Sequence, residues 1–313
     1  MNHNRIGLTA LLVVVVGLGS PSQPAHAVPS VPPASVFTSD RDGDSELYYR
    51  ARTGRVVQLT RNTADDFGAV HAPDGRRLAF ASDRDGDDEI FTMEITGRHI
   101  RQLTDNTGAR DNAPAWSPDG TRIAFSRAVA DEEQPEIWVM DADGGNQVQL
   151  TFTEFSVFDT EPSWSPDGQY IAFTSSRTGD FNVEIFVMRA DGSDVRRLTT
   201  TEDGVFDGGP DWSPDGRRIV FHSNRAWPMD SQDLYVMDAD GGNVQPLAAH
   251  PNGLDDVFPR WTADGTQVFF TTFAGASGRP REDIWVVDAD GTDRLNLSRD
   301  PAADFLVDPR PES

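Results

Sequence analysis

The sequence predicts an all-β fold, a six-bladed β-propeller of four-stranded blades. Three observations carry the prediction. Trp-Ser-Pro-Asp-Gly starts at Trp116, Trp164 and Trp212, with altered copies at Trp261 (Trp-Thr-Ala-Asp-Gly) and His71 (His-Ala-Pro-Asp-Gly). Each copy is followed by an apolar strand with phenylalanine near its end, at Phe80, Phe125, Phe173, Phe221 and Phe270, and Phe37 supplies a sixth; successive spacings are 43, 45, 48, 48 and 49 residues. Helical periodicity is absent, and four-stranded units of this length fit propeller blades.

The first element is a targeting segment. Asn2 to Arg5 form a short basic start, Ile6 to Gly19 an apolar run, and Ala25-His26-Ala27 a small-x-small cleavage site. Residues 1–27 are therefore expected to be a signal peptide cleaved after Ala27, 28–35 a short linker, and 36–313 the propeller. The mature protein is expected to be secreted or periplasmic. With no cysteine there is no site for a lipid anchor and no disulfide.

Within a unit, Pro-Asp-Gly makes the first tight turn, because proline presets φ and glycine accepts φ > 0. The next strand is of the Ile123-Ala124-Phe125 kind, and a loop leads to a third such as Glu136-Ile-Trp-Val-Met140. Asp-Ala-Asp-Gly at 141–144, 238–241 and 288–291, and Arg-Ala-Asp-Gly at 189–192, form the second hairpin. A short outer strand ends in Leu-Thr, as at Leu103-Thr104. The tail Val307-Asp308-Pro309-Arg310 resembles Val257-Phe258-Pro259-Arg260, so the C-terminus is expected to supply the innermost strand of blade one.

Charge narrows the function classes. A net charge of −24, with no lysine among 27 basic residues, opposes binding to nucleic acid or to an anionic membrane. It also removes Schiff-base chemistry. Five residues before each anchor stands an aspartate: Asp66, Asp111, Asp159, Asp207 and Asp256, with Leu306 as the sixth equivalent and Asp304 and Asp308 nearby. Two readings follow. The aspartates cap their turns, or they ring one mouth of the channel and attract a metal ion, an amine or a basic peptide.

Asp40, Asp42 and Asp44, and again Asp83, Asp85 and Asp87, resemble calcium loops in composition but not in EF-hand order. The alternative is a loop in which Arg41 pairs Glu46 and Arg84 pairs Glu89, as Arg177 would Glu184 and Arg225 would Asp233. No cofactor is expected, calcium being the one ion with an argument behind it. Of four histidines in the mature chain, His71 takes the tryptophan position and His222 follows Phe221; neither has a ligand-spaced partner.

The repeats are similar to those of TolB-type propeller proteins, which are WD-repeat-like, and the resemblance covers essentially the whole mature chain. It implies the fold; function follows less directly, since related propellers also occur joined to peptidases. With the expected cleavage after Ala27 and the first repeat at residue 36, the α/β domain that precedes the TolB propeller is not expected here, and no Gly-x-Ser-x-Gly elbow is present.

In such a fold the 1–2 and 3–4 turns share one face and the 2–3 and 4–1 loops the other. Every length change falls on the second face, including 129–135, 226–232, 273–282, 152–160, 201–209 and 250–257. Phe155, Phe158, Phe181, Phe206, Trp227 and Phe258 lie in or beside these loops, as contact residues or as plugs between blades. The expected protein is a monomeric, non-catalytic binding propeller whose acidic, loop-rich face engages a protein, a peptide, with a basic one favoured, or an envelope component. The alternative is a metal-dependent lyase or hydrolase acting on glycans or peptides at the channel mouth.

Overall fold

The computed structural model describes residues 32–129, 134–153, 156–179, 182–226, 231–248, 254–274, 281–298 and 301–311. The expected signal peptide, residues 1–27, lies outside them. The described residues form six four-stranded antiparallel sheets. Blade one contains β1 (Ser35–Ser39), β2 (Glu46–Arg50) and β3 (Val56–Gln58). Blade two is β4 (Asp66–His71), β5 (Arg77–Ser82), β6 (Glu89–Glu94) and β7 (Arg101–Gln102). Blade three is β8 (Ala109–Trp116), β9 (Arg122–Val129), β10 (Pro135–Asp141) and β11 (Val148–Gln149). Blade four is β12 (Asp159–Trp164), β13 (Tyr170–Ser175), β14 (Glu184–Arg189) and β15 (Arg196–Arg197). Blade five is β16 (Asp207–Trp212), β17 (Arg218–Ser223), β18 (Asp233–Asp238) and β19 (Gln245–Ala248). Blade six is β20 (Asp255–Trp261), β21 (Gln267–Ala274), β22 (Arg281–Asp288) and β23 (Leu295–Asn296). The last strand, β24 (Asp304–Pro309), lies inside β1 and completes blade one.

The closure predicted from the two ends is therefore present. Ser35 pairs with Pro309 and Ser39 with Asp304, and the Arg310 amide donates to the Ala34 carbonyl at 2.7 Å. Burial closes the ring as well. Each apolar cluster straddles two neighbouring blades, so Trp116 packs with Ala79 and Ile90 of blade two as well as Phe125 of its own blade. At the seam, Phe37, Tyr48 and Val307 of blade one pack with Phe269, Ile284 and Val286 of blade six. The six repeated phenylalanines are at most 2% exposed. Each such burial contributes roughly 1.5–3 kcal/mol.

The uniform face owes its sameness to nested turns. Gly168 sits at φ 69°, and a Cβ there would come within 3.3 Å of Pro118 Cγ, one blade back. The Pro-Asp-Gly turns thus stack on each other around the ring. In blades three to six the turn aspartate takes the preceding hydroxyl, as when Ser117 Oγ donates to Asp119 Oδ1 at 2.6 Å. That bond and the Thr121 amide hold the Asp119 carboxyl down to about 2.

The opposite face is uneven for a backbone reason. The paired part of strands two and three stops at Ser82↔Glu89 in blade two, and at the matching pair in blades one, four and five. In blade three it continues to Ala128↔Pro135, and in blade six to Ala274↔Arg281. At about 3.3 Å per residue, these two hairpins stand proud of the others. Three blades apart in a ring of six, they oppose each other across the channel mouth.

Deleting residues 304–313 removes β24 and opens the seam between blades six and one. Such a chain is expected to lose its cooperative melt and to be cut within blade one by limited proteolysis, followed by circular dichroism and mass spectrometry.

Candidate functional site: the arginine-clamped ring and the central channel

The aspartate ring exists, but its chemistry is not that of an open mouth. Asp66, Asp111, Asp159, Asp207 and Asp256 are fully buried. The sixth member is Asp304, at 2% exposure, and not Leu306. Leu306 instead occupies the bulge two residues further on, at φ 49°, matching Ala113, Glu161 and Phe258. A buried carboxylate must be paired, and each of these has its own arginine. Arg41 reaches Asp304 at 2.6 Å, Arg84 Asp66 at 2.7 Å, Arg127 Asp111 at 2.6 Å, Arg225 Asp207 at 2.5 Å and Arg294 Asp256 at 2.5 Å; Arg177 pairs with Asp159 in the same way. The open carboxylate ring, one of the two readings the sequence allowed, is thereby corrected to a ring of ion pairs.

Each guanidinium also lies over the blade's aromatic pair, for example 4.7 Å above Phe91 for Arg84 and 4.6 Å above Trp138 for Arg127. In blades one, two, four and five the arginine follows strand two in a tight loop, where its Nε donates to the last serine of that strand, Ser82 Oγ at 2.9 Å for Arg84. Blades three and six have the lengthened hairpin and no such loop. Arg127 stands there in the serine's own place, opposite Glu136, and Arg294 reaches in from the outer turn.

These pairings replace the expected Arg41–Glu46, Arg84–Glu89, Arg177–Glu184 and Arg225–Asp233 bridges. The strand-three glutamates face the outer strand instead. Glu89 accepts the Asn106 amide at 2.6 Å, and the Thr104 hydroxyl, itself accepting the Ile90 amide at 2.8 Å, ties Leu-Thr to strand three.

The acidic loops are partly reorganised relative to expectation. Asp42 and Asp44 converge with Glu46, and Asp85 and Asp87 with Glu89, their oxygens within 4.8 Å of one another. Asp40 and Asp83 turn away, accepting the Ala303 and Asp65 amides at 2.8 Å each. Oxygen donors of this kind suit calcium, but the sets are already engaged by protein donors. Asp42 takes Tyr48 Oη at 3.1 Å and Gln58 Nε2, and Glu46 takes the Asn62 amide at 2.5 Å. Burial, with Asp111 nearby, pushes the Glu89 carboxyl up to about 7.

The open part of the site is the channel itself, walled by β24, β4, β8, β12, β16 and β20. It holds a cavity of about 200 Å³. All six bulge positions line it: Gly68, Ala113, Glu161, Gly209, Phe258 and Leu306. Two residues deeper, towards the turn-bearing face, it is lined by Val70, Arg260 and Asp308. The inner strands are where the repeat breaks down, and the charged members Glu161, Arg260 and Asp308 were not singled out from sequence. The signal was available: each replaces a small or apolar residue at a fixed offset from the ring aspartate.

His222 belongs to this wall by a related substitution. The bulge amide of every blade but the third donates to a strand-two side chain of the blade before it, Gly209 to Thr174 Oγ1 at 3.1 Å and Leu306 to Thr271 Oγ1 at 3.2 Å. From Phe258 the acceptor is His222 Nδ1 at 3.3 Å. Burial pushes the imidazole down to about 4, which keeps it neutral and able to accept. Its bulk needs the glycines in front of it, since a Cβ on Gly209 would lie 2.8 Å from the ring. Phe206 stacks on His222 at 5.7 Å and Phe258 meets it edge-on, so both expected contact aromatics also fill the gap between blades five and six. Phe158 is half-buried, its amide donating to Ser176 Oγ at 3.0 Å. Phe155, Phe181 and Trp227 lie outside the described residues. His71, in the tryptophan position, is bonded through Nδ1 to Asp308 at 2.7 Å and so ties blade two to the C-terminal strand.

Six sheets radiating about a lined channel make this a closed β-propeller, with loops diversified on one face only. The sequence matches the model of the TolB beta propeller domain over residues 101–297, and the chain belongs to that family. Among solved structures it is similar to TolB from Acinetobacter baumannii, with 19% identity, 90% of this chain and 67% of that one covered, and a TM-score of 0.73. A putative TolB from Agrobacterium tumefaciens has 22% identity, 85% and 88% coverage and a TM-score of 0.68. An oligogalacturonate lyase from Vibrio parahaemolyticus has 15% identity, 83% and 73% coverage and a TM-score of 0.59. No curated protein matches the sequence.

Two outcomes follow from the ring and the loops. Arg294→Ala leaves Asp256 buried and unpaired, at an expected cost of about 3–5 kcal/mol in urea unfolding, while the double variant Asp256→Ala/Arg294→Ala costs less. Glu282 is a different case, its carboxyl raised from 4.5 to about 7 by burial and then by Asp40. An acid with a raised folded pKa loses stability as pH climbs between those values. Glu282→Gln is therefore expected to melt above wild type beyond about pH 7 and to coincide with it below about pH 4.5.

Proposed function

We propose that this chain is an exported, non-catalytic binding propeller that holds a protein or peptide on its loop-bearing face, over the channel mouth. The observation that carries the reading is the asymmetry between faces. Stacked turns repeat on one side, while on the other two lengthened hairpins flank the mouth of a cavity whose lining departs from the repeat. Rigid frames with diversified loops are where recognition usually resides. Phe152, 77% exposed in the loop before β12, supplies an aromatic contact on that side. Export follows from the sequence of residues 1–27, and the acidic balance favours a basic partner. The described residues include no helix long and apolar enough to cross a membrane.

The lyase or hydrolase alternative finds less support at the level of residues. Among the described residues, the converging groups of three or more metal-ligand side chains are the two loop sets, and neither contains a histidine. The cavity, at about 200 Å³, is also below the roughly 300–1,000 Å³ of pockets that enclose a whole small ligand. It suits a single side chain.

Affinity capture from the envelope or culture medium, with cross-links mapped by mass spectrometry, tests the reading. Phe152→Asp is expected to lower capture about fivefold or more, as loss of a contact worth over ~1 kcal/mol does. Asp167→Arg, in a turn of the other face, is expected to leave it within about twofold. Cross-links confined to the turn-bearing face would refute the proposal.

A further inference from the structure

We infer that the channel selects a cationic group on an aliphatic stem, the side chain of an arginine or lysine, and that Glu161 is the residue that selects it. The inference deepens the binding reading above and rests on it for the direction of entry. The inner strands run from the loop-bearing face to the turn-bearing face, so a group entering from the loops meets the bulge ring first. Glu161 is the single charged member of that ring; its other members are glycine, alanine, phenylalanine and leucine. Among the described residues no arginine or histidine forms an ion pair with it.

The carboxylate is also held ready. Its Oε2 accepts Thr174 Oγ1 at 2.7 Å and the Gly209 amide at 2.9 Å, and its own amide donates to Ser126 Oγ at 3.3 Å. Blades four and five thus hold the carboxylate, and blade three holds the residue's backbone amide. It sits at φ 55°, in a position that blades two and five fill with glycine. A non-glycine residue there carries backbone strain, and a charged one facing a cavity has a use that an alanine would not.

The walls fit the stem of such a group. Phe67, Phe258 and Leu306 line the same cavity and would cover methylenes, as apolar surface does for long cationic side chains. An anion is the poorer fit. Arg260, the channel's cation, lies deeper, between Asp211 and Asp308 at the same level of the neighbouring blades, so a carboxylate would have to pass Glu161 to reach it. The whole chain, at −24, opposes an anion at longer range.

The test is calorimetric titration of the full chain with N-acetyl-Gly-Arg-Gly-amide and with its citrulline analogue, which keeps the shape and drops the charge. The arginine peptide is expected to bind at one saturable site and the citrulline peptide at least about tenfold more weakly. Glu161→Gln keeps an oxygen for Thr174 and Gly209, so its melting temperature should stay near wild type while arginine-peptide affinity falls about tenfold or more. Asp167→Arg, in a turn of the other face, should bind the peptide as wild type does. Equal binding of the two peptides, no saturable binding of the arginine peptide, or an unaffected, folded Glu161→Gln overturns the inference. If the natural partner cross-links to the loop-bearing face yet binds Glu161→Gln normally, the selector role falls and the binding reading stands. If it cross-links to the other face, that reading falls, while the two-peptide comparison still decides this one.

Discussion

The structure depends on one constraint: a carboxylate that starts each inner strand is taken out of water and must be met by a cation. Once that charge is buried, its arginine has to arrive within about 3 Å, and the arginine in turn has to lie on something apolar. The blade supplies the floor from its own core, the strand-two phenylalanine and a strand-three aromatic. The unit is thus an ion pair resting on two rings, repeated six times between the channel and the blade interior. Its net contribution to stability is small compared with the cost of breaking it, because desolvation and attraction nearly offset each other. What it supplies is geometry, since only one arrangement of loop and strand satisfies it.

The two ways of meeting that constraint shape the loop-bearing face. Where the arginine comes from a tight loop directly after strand two, the hairpin must stop there, as at Arg41, Arg84, Arg177 and Arg225. Where it comes from elsewhere, as at Arg127 and Arg294, the hairpin is released and runs on. The raised blades three and six are therefore a consequence of where the cation is sourced, and they frame the mouth of the channel. The channel wall, freed from balancing those aspartates, can vary. Glu161, His222, Phe258 and Arg260 are its main departures from the repeat, and they cluster on blades four to six.

Much of this was legible before any coordinates. Blade number, strand order, the two kinds of turn and the completion of blade one by the tail all follow from local motifs, because turn chemistry and strand alternation are short-range. The ring aspartates were legible as a ring, but not as neutralised. Arg84 is one residue from Asp83 and five from Glu89, and sequence distance favoured those neighbours over Asp66, eighteen residues away across a strand pair. The same reliance on local motif set the sixth position at Leu306: matching Val307 and Pro309 to Val257 and Pro259 offsets the tail by two residues, and only the pairing of Ser39 with Asp304 resolves it. It also grouped Asp40 with Asp42 and Asp44, whereas the loop turns Asp40 to the backbone and brings in Glu46 from the following strand.

The chain's own residues settle that it is a closed ring of six similar sheets, since each repeat carries its turns and its buried phenylalanine within some fifty positions. The fold alone decides which charges face each other. Pairings such as Arg294 with Asp256, or the Gly209 amide with Glu161, join different strands or different blades. No motif encodes them, because they depend on the curvature that brings the inner strands together around a common axis.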